Sequence, residues 1–191
     1  MCWAMPRCCG APVGRRVAVI GAGGIGFVVA EALVHQGRSP TLNPALWRRE
    51  WGVGNTATSP GGLADGGPRP GPPARKVMQL QRKAERPGRR LGKTTGWSHR
   101  ARLQARGVEM LGGIACSRIV PDGLEVIGDA VPRLIPADTV VLCTGQVPRR
   151  ALAGALKAAG IAHHVIGGAE SVAGLDARRA VYQGAPLAAR L

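Results

Sequence analysis

The residues of this 191-residue chain best suited to chemistry are four glycines, Gly21, Gly23, Gly24 and Gly26. They follow Val17-Ala-Val-Ile20 and read Gly-Ala-Gly-Gly-Ile-Gly, which satisfies G-x-G-x-x-G. In that pattern the first glycine permits a sharp turn and the second lets the backbone approach a pyrophosphate. The third lets helix and strand pack closely. The helix head adds N–H groups and the positive end of a dipole, both favourable to phosphate. A bare glycine motif is weak, but a strand before it and a helix after it make a dinucleotide site the expected reading.

An acid about 20 residues further on usually binds the ribose diol. Here position 41 is Thr. If residues 38–74 are an insertion, the second strand ends near Arg82 and Lys83, with Arg86, Arg89, Arg90 and Lys93 close behind. A carboxylate there would repel a 2′-phosphate, whereas a guanidinium grips one with paired hydrogen bonds. NADPH is therefore expected in preference to NADH. The neighbouring Gly88-Arg-Arg-Leu-Gly92-Lys93-Thr94 falls one residue short of P-loop spacing, so phosphohydrolase chemistry is not expected.

The other candidates are weaker. Cys2, Cys8, Cys9, Cys116 and Cys143 contain no Cys-x-x-Cys pair and suit neither a disulfide framework nor a metal site. A reducing, cytoplasmic setting is the expectation. His163-His164 lacks a third ligand at metal spacing, while His35 and His99 read as helix-surface residues. Trp47 and Trp51 read as packing for the insertion. Neither a catalytic side chain nor a metal ligand is expected.

Composition bounds these readings. Apolar residues make up 45%, enough for a core, but with aromatics at only 3% that core must be aliphatic. The uncharged run Val17–Ala30 is 14 residues long and studded with glycine, too short for a membrane span. The formal charge of +15 favours an anionic partner. Twelve Lys/Arg and one acid fall between Arg69 and Arg106. Nucleic acid is the alternative partner for that stretch, although Trp97 is the sole aromatic within it to stack on bases.

The elements alternate strand and helix, which predicts an α/β sheet, mostly parallel. Strands are expected at Arg16–Ile20, Lys76–Gln81, Val108–Leu111, Thr139–Cys143 and His163–Ile166. Two or three short antiparallel strands are expected within 114–136, with turns at Pro121-Asp-Gly123 and Gly128-Asp129. Helices are expected at Gly24–Gln36, Pro44–Trp51, Trp97–Arg106, Arg149–Ala159 and Ser171–Leu191. Residues 1–14 read as an irregular leader.

Several stretches together carry a family resemblance. Val19-Ile-Gly-Ala-Gly-Gly-Ile-Gly-Phe27, Leu80-Gln-Arg-Lys83, Leu91-Gly-Lys-Thr-Thr-Gly-Trp97 with His99-Arg100, and Leu175-Asp-Ala-Arg-Arg-Ala180 resemble the C-terminal part of NADPH-dependent 2,4-dienoyl-CoA reductases. The likeness runs from about Pro12 to Leu191 and includes Asn43-Pro44 and Glu50-Trp-Gly52. It implies a Rossmann-like NADPH-binding domain over 15–144 and the returning segment of a split FAD-binding domain over 145–191. By the same resemblance Gly145 lies at re-entry into the FAD domain, and Gly167 and Gly168 form its last flavin-contacting turn. The family has Asp and Glu where Val28 and Val147 stand here.

In that family an FMN barrel and a [4Fe–4S] cluster precede these domains, and electrons run from NADPH through FAD and the cluster to FMN. The resemblance implies oxidoreduction in unsaturated fatty acid metabolism. It further implies a fragment that lacks the barrel and cluster ligands and is inactive on dienoyl-CoA by itself. FAD would then be held only with the missing N-terminal half as partner.

Overall fold

A computed structural model describes residues 2–4, 12–35, 37–128, 131–174 and 176–191. Cys8 and Cys9, Gln36 at an expected helix end, Asp129 of an expected turn, and Leu175 lie outside the described residues. Two compact units divide the chain, Met1–Thr144 and Gly145–Leu191.

The first unit is built on a five-stranded parallel sheet. Its strands are β1 (Cys2–Ala4), β2 (Arg16–Ile20), β3 (Lys76–Leu80), β4 (Glu109–Leu111) and β8 (Thr139–Leu142), in the order β1-β8-β2-β3-β4. A second, antiparallel sheet joins β5 (Ala115–Val120), β6 (Gly123–Gly128) and β7 (Val131–Pro136). Among the described residues the α-helices of this unit are α1 (Gly24–Val34), α2 (Pro44–Glu50) and α3 (Gly96–Ala105).

Parallel strands covered on both faces read as apolar runs, and here each face has its own cluster. Val17, Val19, Val77 and Val141 pack with Phe27, Ala30 and Leu33 of α1 and Leu103 of α3. On the other side Ala18, Leu80 and Val140 pack with Leu124, Val126 and Ile135 of the antiparallel sheet. The parallel sheet is thus sandwiched between helices and the smaller sheet. This is a Rossmann-like α/β arrangement, as expected.

Residues 38–74 are mostly turns around α2. Asn43 caps that helix by accepting from the Leu46 amide at 3.1 Å, and Pro44 occupies its first position. Glu50 then anchors the whole excursion. It receives Arg106, just past α3, at 3.3 Å and the Gly71 amide at 3.4 Å.

Three expectations need correction. The leader is not wholly irregular, because Cys2–Ala4 forms the edge strand β1 and pairs with Val140–Leu142. His163–Ile166 is not a strand among the described residues; the segment is irregular and the His163 ring contacts the Ile161 carbonyl at 2.9 Å. The last helix begins later than Ser171. It is Ala177–Ala188, started by Asp176, whose side chain accepts from the Arg179 amide at 2.8 Å.

The second unit contains that helix, here α5, together with α4 (Ala151–Ala158) and a tight turn at Gly167–Ala169. No residue of α4 or α5 is buried. No helix among the described residues is long and apolar enough to cross a membrane.

One ion pair ties the start of β2 to the start of β8. Arg16 meets Asp138 at 2.5 Å, and the Arg16 amide donates to the same carboxylate at 2.8 Å. These hydrogen bonds hold the Asp138 carboxyl below its ordinary value. A depressed folded value gives stability that is present above about pH 3.9, the unfolded aspartate value, and is lost as pH falls through the folded one. Asp138→Asn is therefore expected to lower the thermal midpoint at neutral pH and to flatten its decline in acid. Melting curves between neutral and acid pH check this.

Candidate nucleotide site at the glycine turn

The glycine turn opens at the C-terminal end of β2. Gly21 adopts φ +121°, which side-chain-bearing residues rarely enter, and a Cβ there would overlap the Cys143 carbonyl oxygen. Gly26 packs face-on to the turn, since a Cβ on it would overlap the Gly21 carbonyl oxygen. Gly23 and Gly24 differ. Neither has any atom within 4 Å of an added Cβ. The turn is thus tight where helix meets strand and open where a ligand could approach. Gly23 caps α1 without a side-chain hydrogen bond, so the orphan amides of the first turn have no side-chain partner at that cap.

The second strand ends beside this turn. Ile20 is in register with Leu80, and the Gly21 amide donates to the Leu80 carbonyl at 2.8 Å. Arg82 and Lys83 follow at once, both exposed. Because β2 and β3 are parallel, the glycines and these cations leave the same edge of the sheet.

The loop beyond is shaped by its own contacts. Gln81 donates from its side chain to the Lys83 and Glu85 carbonyls at 3.0 and 2.8 Å. Glu85 pairs with Arg90 at 2.6 Å. Gly88 lies against Phe27 of α1, where a Cβ would come within 2.6 Å of the ring. That contact holds the loop carrying Arg86 and Arg89 against the residue following Gly26. Lys93 is exposed just before α3.

The basic stretch 69–106 is broken up by acids. Lys76 pairs with Glu109, Arg90 with Glu85, Arg102 with Glu31, and Arg106 with Glu50. Arg82, Lys83, Arg86, Arg89 and Lys93 stand in no ion pair among the described residues. Unpaired cations thus concentrate in the loop that follows β3. His99, expected on a helix surface, is half-buried and meets Glu31 at 2.7 Å.

Two residues that shape the turn and loop were not anticipated. Gln79 is fully buried on β3 and donates from Nε2 to the Gly21 carbonyl at 3.1 Å. Its sequence signal is a carboxamide inside the apolar run Val77-Met-Gln-Leu80 of a strand flanked on both sides. Phe27, the other, docks the loop and shows no exposure.

A crevice of about 240 Å³ lies elsewhere, among α1, α2 and α3. Trp47 and Trp51 line it, with Glu31, His35, Arg102 and Arg106. It is smaller than the roughly 300 Å³ at which small-molecule pockets begin, and its acids already hold Arg106, Arg102 and His99. No group of three or more metal-ligating side chains is assembled among the described residues.

Within the second unit, Gly145 adopts φ +147° with no atom near an added Cβ. Gly167 adopts φ +61° and opens the turn that Gly168 continues. Side chains hold that turn from several directions. The Gly167 amide donates to Gln183 at 2.7 Å, Arg179 reaches the Gly167 carbonyl at 3.0 Å, and Arg150 reaches that of Ala169 at 2.8 Å.

This strand, glycine turn and helix lie within a longer match. Residues 5–171 match the pattern of the pyridine nucleotide-disulphide oxidoreductases. The chain belongs to that family. Members of that family bind a nicotinamide nucleotide and a flavin.

Solved structures share the fold. Histamine dehydrogenase from Rhizobium sp. 4-9 matches with a TM-score of 0.64 at 18% identity, over 100% of this chain and 26% of that one. A 2-naphthoyl-CoA reductase in complex with 2-naphthoyl-CoA matches with a TM-score of 0.62 at 16% identity, over 95% and 22%. The 6-hydroxypseudooxynicotine amine oxidase from Pseudomonas geniculata N1 gives 0.58 at 19%, over 96% and 23%. At such identities the likeness speaks to fold. The chain spans about a quarter of the length of each of these proteins.

Proposed function

We propose that this family member binds NADPH at the Gly21–Gly26 turn and serves a reductase of the 2,4-dienoyl-CoA type. The observation that carries the reading is the parallel register of β2 and β3, with Ile20 opposite Leu80. It supports convergence of the phosphate-facing glycines and the Arg82–Lys83 pair on one doubly phosphorylated adenosine end. The open space at Gly23 and Gly24 fits a pyrophosphate, whose charge the uncapped head of α1 favours. Arg82 and Lys83 hold the 2′-phosphate, with Arg86 and Lys93 adding positive field nearby.

The nucleotide, when bound, supplies hydride to a flavin. What this chain contributes is grip and orientation. Gly145, Gly167 and Gly168 belong, in this reading, to the flavin-facing segment, and Arg150, Arg179 and Gln183 stiffen its turn. FAD binding draws on the complementary half of the flavin domain. The FMN and [4Fe–4S] steps of a dienoyl-CoA reductase lie outside these 191 residues.

Titration of the purified chain with NADPH and NADH tests the reading. NADPH is expected to bind tighter by roughly 10- to 100-fold, one to two charge-assisted contacts' worth. Equal affinity for the two would remove the 2′-phosphate argument, and binding of neither would remove the nucleotide.

A further inference from the structure

Gln79 is a polar residue where the packing calls for an apolar one. It sits on β3 between β2 and β4, is fully buried, and is followed by the equally buried Leu80. Its Nε2 donates to the Gly21 carbonyl at 3.1 Å, but its Oε1 has no hydrogen-bond partner. A buried acceptor without a partner disfavours the folded state, and the hydrogen bond that the side chain makes is the one it gives to the Gly21 carbonyl. The carboxamide's benefit must come from the group it holds.

That group is the peptide joining Gly21 to Ala22. A trans peptide carries its C=O and its N–H in opposite directions. Drawing the Gly21 oxygen inward toward Gln79 turns the Ala22 N–H away from β3. Gly26 closes the same oxygen from the helix side, where a Cβ would overlap it and would lie 3.1 Å from the Gln79 Nε2. The Gly21 carbonyl is thus clamped between the third glycine of the motif and Gln79.

We propose that Gln79 is a positioning residue, holding the Gly21 carbonyl inward so that the Ala22 N–H faces the pyrophosphate of a bound dinucleotide. The inference rests on the dinucleotide reading of the turn. It does not touch the 2′-phosphate, which the Arg82–Lys83 end would hold.

The test is Gln79→Leu in the full chain, titrated with three probes. NADPH carries both phosphate features, ADP carries the pyrophosphate alone, and adenosine 2′-monophosphate carries the 2′-phosphate alone. Affinity for NADPH and ADP is expected to fall about tenfold, the net worth of one hydrogen bond. Affinity for adenosine 2′-monophosphate stays unchanged. Gln79→Met, nearer in length, gives the same pattern should the leucine variant fail to fold. Equal losses for all three probes would mark general damage to the fold and overturn the proposal. So would unchanged NADPH affinity. A wild-type chain that binds neither NADPH nor ADP would overturn the dinucleotide reading, and this proposal with it.

Discussion

Gly21→Ala is expected to lower the thermal midpoint by about 10 °C or more, while Gly23→Ala leaves it nearly unchanged and abolishes NADPH binding. The two glycines are two residues apart and meet opposite surroundings. At Gly21 the backbone sits at φ +121°, so a side chain is strained before any contact is counted. The added carbon would also overlap the Cys143 carbonyl, which is backbone just past β8 and cannot swing aside as a side chain would. Strain and overpacking together cost on the order of 3–5 kcal/mol. In a domain of this size each kcal/mol moves the midpoint by roughly 2–4 °C.

At Gly23 the backbone has φ −85° and ψ −178°, which any residue adopts, and the added carbon meets nothing. The fold tolerates it. A pyrophosphate approaching the backbone there would not, because the methyl occupies its path. Calorimetry and NADPH titration on the two variants separate the outcomes. Two variants that melt alike would show that the turn is merely structural.

That contrast also marks what could be read from the sequence. Val17-Ala-Val-Ile20 and Thr139-Val-Val-Leu142 announce themselves because central parallel strands are buried on both faces and leave uninterrupted aliphatic runs. The helical spacing of Ile25, Val29 and Leu33 likewise exposes α1. Strand β1 left no such trace. Cys2-Trp-Ala4 is too short to show a period, and its conformation is imposed by the exposed edge of β8.

The converse failure is His163–Ile166, whose apolar end suits a strand. A strand needs a ladder, and no neighbouring segment pairs with it among the described residues. At Ser171–Gly174 helix formation loses to side-chain hydrogen bonds, since Arg179 donates to the Gly167, Ser171 and Ala173 carbonyls and Gly174 turns left-handed. The glycine turn was legible because its backbone demands are local. Gln79 was not, because its role depends on a contact 58 residues away along the chain.

The double variant Arg82→Ala, Lys83→Ala is expected to weaken NADPH binding by roughly 10- to 100-fold and to leave NADH within about twofold. Both side chains are exposed, so each contact to the 2′-phosphate is worth less than a buried one and is screened by salt. The wild-type preference for NADPH should therefore shrink as ionic strength rises, and the variant should show little dependence left to lose. Neighbouring cations provide the control. Arg86 and Lys93 share the loop that Gly88 docks onto Phe27, but neither stands at the strand end beside Gly21. Replacing either alone removes long-range field and leaves the gripping pair, so a loss of no more than a few-fold is expected. Should Arg86→Ala or Lys93→Ala cost more than the double variant, the 2′-phosphate lies farther along the loop. If NADPH and NADH weaken equally in the double variant, Arg82 and Lys83 serve the common pyrophosphate, and selectivity for the phosphorylated nucleotide must come from elsewhere.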